Sequence, residues 1–262
     1  MAILTHGKDM TLAPTVRPII AHGGATLRKV VGQLAQSDFE CVQLDATMPG
    51  VRPRDLSRSG RRDLAAMCSR LGMRTAGMDL FIPRDHFVEP AHQDRAVTSA
   101  VAAIELAADL GRLPVSIALP IKSMPDTVKD ALAEAADAHG VTLAVHAEDQ
   151  IEALIAWLDA VDQPVLGAAL DPAALIAREH DPAQVAMRLS KHLRVTRLSD
   201  LTSDVTRCGV GEGELDVMAY RVAIDLAEAR LGPVVLDVRN VTDPFAAAMR
   251  GKRAWDDAAF EI

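Results

Sequence analysis

Four apolar segments in succession end in an ionisable residue: His146 in LAVHAED, Asp171 in LGAALDP, Arg197 in RVTRLSD and Asp237 in VLDVRN. Buried near one axis, such groups are costly unless they pair with one another, a ligand or a metal. Imidazole and carboxylate move protons, and a guanidinium polarises an oxygen, so His146, Asp171, Arg197 and Asp237 form the candidate catalytic set. A second group is placed to hold a substrate. It contains His22, Asp45 and Asp79 at the ends of earlier runs, Asp200 and Arg239 beyond the later ones, and Glu212 in GVGEGELD. A single aspartate at a strand end is also the ordinary N-cap of the next helix, an alternative open for Asp45 and Asp200. GVGEGELD reads either as a plain turn or as a loop that covers the substrate. His86, His92, His139, His180 and His192 show no HxH or HExxH spacing and read as loop or helix-end residues.

The elements that would position these residues alternate along the chain. Eight short apolar runs read as strands: RPIIAHG (17–23), FECVQLDAT (39–47), MRTAGMDLF (73–81), LPVSIALP (113–120), VTLAVHA (141–147), VLGAALDP (165–172), LRVTRLSDL (193–201) and PVVLDVRN (233–240). Segments of helical period separate them, several ending at a glycine such as Gly72, Gly111 or Gly140. Eight strands each followed by a helix predict a single α/β domain, a (β/α)8 TIM barrel over 1–262, with 1–16 as an N-terminal extension and 252–262 as a C-terminal tail. In that architecture chemistry sits at the C-terminal strand ends. A doubly wound open sheet would carry a glycine-rich phosphate turn after the first strand, and AHGGAT lacks the GxGxxG spacing.

Composition narrows the function further. The balance of 28 Lys+Arg against 36 Asp+Glu gives a net charge of -8 and argues against a phosphate-bound nucleic-acid partner. Aromatic residues are only 3%, leaving few platforms for stacked bases. Three separated cysteines, Cys41, Cys68 and Cys208, fit neither a disulfide framework nor a metal knuckle, so a reducing cytoplasm is expected. No run is long and apolar enough to predict a membrane span.

At the level of motifs the chain resembles the xylose isomerase-like barrels, which include sugar isomerases, sugar epimerases and metal-dependent AP endonucleases. CVQLDATMPGVRPRDLSRSGRRDL is similar to the second strand and loop of a sugar phosphate isomerase/epimerase branch; LGAALDPAALI, GVGEGELD and VLDVRNVTDP resemble its later segments in order. The resemblance implies a divalent cation held by a glutamate on strand five, an aspartate on six, a histidine on seven and a glutamate on eight. Those positions fall on His146, Asp171, Arg197 and Asp237, so only the aspartate is retained. The family set carries about -3 and a divalent ion brings it to about -1, a value His146, Asp171, Arg197 and Asp237 reach with no ion.

Two functional expectations follow. In the first, no metal or other cofactor is used: Arg197 takes the cation's place, bridging Asp171 and Asp237, and an isomerase/epimerase-like reaction on a sugar, phosphorylated or not, or on a polyol runs through His146 and Asp237. In the second, the barrel binds a polyol, or partners an active subunit, without turnover. Retention of one manganese, zinc or magnesium ion by His146, Asp171 and Asp237 is the alternative to a metal-free site. AP endonuclease activity would need several metals and a basic face, neither of which the sequence supplies. A homodimer is among the assemblies the resemblance implies, and the tail's Trp255 and Phe260 are expected to pack on their own barrel.

Overall fold

Runs such as CVQLD, LAVH and LGAAL are buried along almost their whole length, as expected of parallel strands covered by helices on one face and packed around an axis on the other. The computed structural model describes residues 10–229 and 231–259. In it eight parallel strands follow in order: Leu12–Pro14, Cys41–Asp45, Arg74–Leu80, Val115–Ala118, Leu143–His146, Leu166–Leu170, Leu193–Leu198 and Val234–Leu236. Strands two to eight pair consecutively, and strand one pairs with strand eight. A parallel bridge between Thr15 and Gln43 joins strands one and two and closes the sheet into a (β/α)8 TIM barrel.

The main outer helices are Leu27–Gln36, Arg58–Arg70, Pro90–Asp109, Asp126–His139, Ile151–Val161, Pro182–Arg188, Val217–Leu226 and Pro244–Asp257. Their ends obey local chemistry. Ser57, Asp181, Asp216 and Asp243 each accept a backbone N–H of the first turn, and Gly140 ends its helix with φ 59°. Among the described residues no helix is long and apolar enough to cross a membrane.

The first strand differs from the sequence expectation. RPIIAHG is not a strand but most of a helix, Val16–Gly23, and the strand is the three-residue LAP before it. Val16 and Ile19 are buried at helical spacing, and Pro18 lies in the first turn, where its missing N–H costs nothing. His22 therefore stands in the last turn of a helix rather than at a strand end. Leu12–Pro14, within the expected N-terminal extension, thus supplies barrel strand one, and the last helix, Pro244–Asp257, runs past the expected start of the tail at 252. Trp255 is buried against its own chain, its Nε1 donating to Met10 O at 3.0 Å; Phe260 lies outside the described residues.

Alternation along strands five to eight puts Ala144, Ala169, Val195 and Val235 on the same parity as His146, Asp171, Arg197 and Asp237. The four apolar residues form their own small buried cluster. Two are alanines, and this thin plug leaves room above it for long side chains.

Candidate active site

Arg197 enters that space from strand seven and is 1% exposed. Its Nη2 donates to Asp79 Oδ1 at 2.5 Å and to Ser116 Oγ at 3.1 Å. Nη1 reaches Asp79 Oδ2 at 3.4 Å and Asp237 Oδ2 at 3.3 Å, and Nε donates to His146 Nε2 at 3.2 Å. Gln43 Nε2 and Ser116 Oγ also donate to Asp79 Oδ1, at 2.9 and 2.8 Å. Burial acts against the guanidinium's charge, but Asp79, Asp237 and Asp171 outweigh it and hold Arg197 above its ordinary value.

The bridge differs from the expected one. Arg197 links Asp237 to Asp79 rather than to Asp171. Its side chain crosses the barrel toward strands three and four, where Asp79 and Ser116 accept it. Asp171 is taken by other donors. Ser199 Oγ binds its Oδ1 at 2.5 Å, and Arg207 Nη2 and Arg239 Nη2 bind its Oδ2, the latter at 3.4 Å.

Arg207 arrives on an insertion after strand seven, an antiparallel ladder of Asp200–Leu201 with Arg207–Cys208. It also reaches Asp237 Oδ2 at 3.3 Å. Arg239 Nε donates to both Asp237 oxygens at 2.8 Å. Burial would raise the Asp237 carboxyl, yet Arg239, then Arg197 and Arg207, hold it far below the carboxylate range. Asp171 follows the same logic: burial raises it, Arg207 foremost lowers it, and the net shift is downward despite the neighbouring Asp237.

His146 Nε2 accepts from Arg197, so the ring proton sits on Nδ1 and is donated to Glu148 Oε1 at 2.7 Å. Glu148 Oε1 also accepts from Asp171 N at 3.1 Å. Sequence reasoning missed Arg207 and Glu148. Glu148 lies in the quoted LAVHAED, two residues past His146, and this spacing was its only signal; Arg207 had none, because its place depends on how the insertion folds back.

The remaining candidates separate. Asp45 lines the strand-end mouth but is tied into a turn, accepting from Thr47 N and Thr47 Oγ1 at 2.6 Å each and from Arg17 at 2.9 Å. Asp200 is not placed to hold a substrate: its carboxylate accepts the backbone N–H groups of Leu201, Gly211, Gly213 and Leu215 at 2.8–3.0 Å and so pins GVGEGELD. Gly213 is required there, since a Cβ would stand 2.5 Å from Leu201 O. Glu212 likewise serves the loop, accepting from Gly209 N at 3.0 Å and pairing with Arg250 at 2.8 Å.

Two cavities open at the strand ends. The smaller, about 190 Å³, is lined by Ser116, His146, Glu148, Asp171 and Arg197 among others. The larger, about 410 Å³, lies over strands one to three and eight and includes His22, Asp45 and Asp79. Phe81 and Arg239 line both, with the guanidinium carbon 4.6 Å from the ring centroid, and together they form the wall between them.

The donor set does not fit a divalent cation. Every carboxylate oxygen of Asp79, Asp171 and Asp237 already accepts a hydrogen bond, and a guanidinium among them has no lone pair to offer. Among the described residues no three His, Cys, Asp or Glu side chains group as metal ligands.

Comparison with known proteins agrees with this architecture. A family model described as Xylose isomerase-like TIM barrel matches residues 31–258. A xylose isomerase domain protein from Planctomyces limnophilus superposes with a TM-score of 0.77 at 16% identity, over 98% of this chain and 99% of that one. A D-psicose 3-epimerase from Clostridium cellulolyticum H10, solved with D-tagatose, gives 0.73 at 12%, over 96% and 99%. A xylose isomerase-like TIM barrel protein from Mycobacterium smegmatis, in complex with magnesium, gives 0.72 at 13%, over 95% and 96%. A search of curated proteins returns no match.

Proposed function

The chain belongs to the xylose isomerase-like TIM-barrel family, and on that premise we propose that it is a sugar isomerase/epimerase-like barrel whose strand-end pocket binds a sugar or polyol without a divalent ion. The observation that carries this is the buried Arg197 guanidinium held by Asp79, Asp237 and His146. A fixed positive charge there neutralises the carboxylates that a cation would otherwise neutralise. The epimerase neighbours support the substrate class through the fold they share.

Proton transfer next to a carbonyl needs a base with a free lone pair. Asp237 is poorly suited to that role, because Arg239, Arg197 and Arg207 hold its carboxyl far below the carboxylate range. His146 is the better candidate: a small shift of Arg197 Nε frees Nε2, and Glu148 keeps the ring oriented. The saturation of Asp237 also favours a second reading, binding without turnover.

Two measurements on the purified protein separate these. Melting temperature is followed across ketoses, aldoses and polyols, and deuterium uptake from heavy water into the ligand is followed by NMR. Exchange lost in His146→Ala supports the enzyme; ligand-dependent stabilisation without exchange supports the binder. Absence of any ligand response across the panel refutes both.

A further inference from the structure

We propose that the ligand is an uncharged sugar or polyol and that it lies in the larger cavity, against Phe81, rather than over the arginine cluster. This rests on the reading of the barrel as a sugar or polyol binder, adds the ligand's charge class and its place, and favours binding without turnover, because His146 lines only the smaller cavity.

The two cavities differ in size. Small-molecule pockets occupy roughly 300–1,000 Å³. The cavity beside His146 and Arg197, at about 190 Å³, falls below that range, whereas the larger one, at about 410 Å³, falls within it. Arg239 and Phe81 keep them apart, and Arg239 is anchored to both Asp237 oxygens at 2.8 Å.

They differ in chemical pattern as well. A sugar ring has an apolar C–H face and an edge of hydroxyls. The larger cavity offers the matching surfaces: Phe81, which is 38% exposed, with Leu44, Val241 and Pro244 forming an apolar side. At the rim, the exposed side chains of His22 and Asn240 make no hydrogen bond or ion pair among the described residues, so both are free to meet hydroxyls. Phe81 is covered by Arg239 at one face, which leaves the rest of the ring to the cavities it lines.

The larger cavity's charges balance. Two cations, Arg17 and Arg239, and two anions, Asp45 and Asp79, line this cavity. Each is already paired: Arg17 with Asp45 at 2.9 Å, Asp79 with Arg197 at 2.5 Å, and Arg239 with Asp237. A phosphate or carboxylate would find no guanidinium free of a carboxylate partner and would lie beside the Asp45 and Asp79 carboxylates, which repel it. Neutral hydroxyls can share the remaining lone pairs and N–H groups without that repulsion.

Titration calorimetry with neutral ketoses and polyols, and with their phosphate esters, tests charge and place together. Neutral compounds are expected to bind at least about tenfold more tightly than their phosphate esters. Ala21→Trp, on an exposed helix position at the larger cavity, is expected to weaken binding at least about tenfold, and Ala118→Leu, which fills the smaller one, to change it less than about threefold. His22→Ala and Asn240→Ala, both exposed, are expected to weaken binding with an unchanged melting temperature, and so test the same placement without crowding the barrel. Tighter binding of phosphate esters overturns the charge assignment and leaves the sugar-binding reading standing. Indifference to Ala21→Trp, His22→Ala and Asn240→Ala overturns the placement alone. No binding by any compound overturns the reading and the inference with it.

Discussion

Replacing Arg197 with methionine tests the central electrostatic claim, because methionine keeps most of the length and removes the charge. Arg197 and Asp79 have side-chain exposures of 2% and 3%, so solvent screens their pair little. Asp237 keeps Arg207 and Arg239 after the change, whereas Asp79 keeps only the neutral donors of Gln43 and Ser116. The loss therefore falls mainly on Asp79, and removing one partner of such a buried pair costs about 3–5 kcal/mol. In a chain of this size that lowers the melting temperature by roughly 10 °C. Asp79→Asn in the Arg197→Met background removes the stranded charge and is expected to recover about 2 kcal/mol, giving a coupling well beyond additivity. Urea unfolding of wild type, both single variants and the double variant measures all four corners. A loss under about 1 kcal/mol in Arg197→Met, or additive single effects, refutes the idea that this guanidinium holds the cluster together.

Three other outcomes follow from the same geometry. The Asp171 and Asp237 carboxyls are both lowered on folding, so between the ordinary value of about 3.9 and their folded values the unfolded chain binds more protons. Their stabilisation is full above about pH 5 and is lost progressively below about pH 4, and Asp237→Asn should flatten that acid limb in pH-dependent unfolding. Asp200→Ala strands four backbone donors and is expected to cost about 2–4 kcal/mol, with faster hydrogen exchange at Gly211, Gly213 and Leu215; unchanged exchange would remove Asp200 from its role as the loop's anchor. Chelator treatment should leave both melting temperature and ligand affinity unchanged, and millimolar manganese or magnesium should not stabilise the protein; a metal-dependent rise would contradict the misfit of the donor set.

Much of this barrel was legible because burial on both faces writes most of strands two to eight as short, largely apolar runs. Strand one was not, because LAP is three residues long and the apolar PII beside it belongs to a helix. Along the chain its Pro14 and Pro18 look alike, but one ends a strand and the other sits in a helical first turn. At the strand ends, the convergence of Arg197, Asp237, His146 and Asp171 was legible because side-chain parity follows directly from strand register. Asp79, read as a substrate group, lines the larger cavity and is also the chief partner of Arg197, a pairing the sequence hides because it shows which wall a residue stands on but not how far an arginine reaches across. Arg207 depends on an insertion folding back over the barrel, a tertiary event with no local periodicity.

A tethered guanidinium and an exchangeable cation differ in more than charge. An ion can accept an oxygen of the ligand as a further ligand of its own, whereas the N–H groups of Arg197 are already committed to Asp79, Ser116, Asp237 and His146. Polarising a carbonyl with this arginine would require one of those bonds to open, and two of them, Nε to His146 at 3.2 Å and Nη2 to Ser116 at 3.1 Å, end on groups other than a carboxylate. Opening the first would release the imidazole lone pair at the same moment. Chemistry that used both groups would therefore need a ligand admitted to the smaller cavity and this hydrogen bond opened: the contact that occupies Arg197 Nε also occupies the lone pair of His146 Nε2.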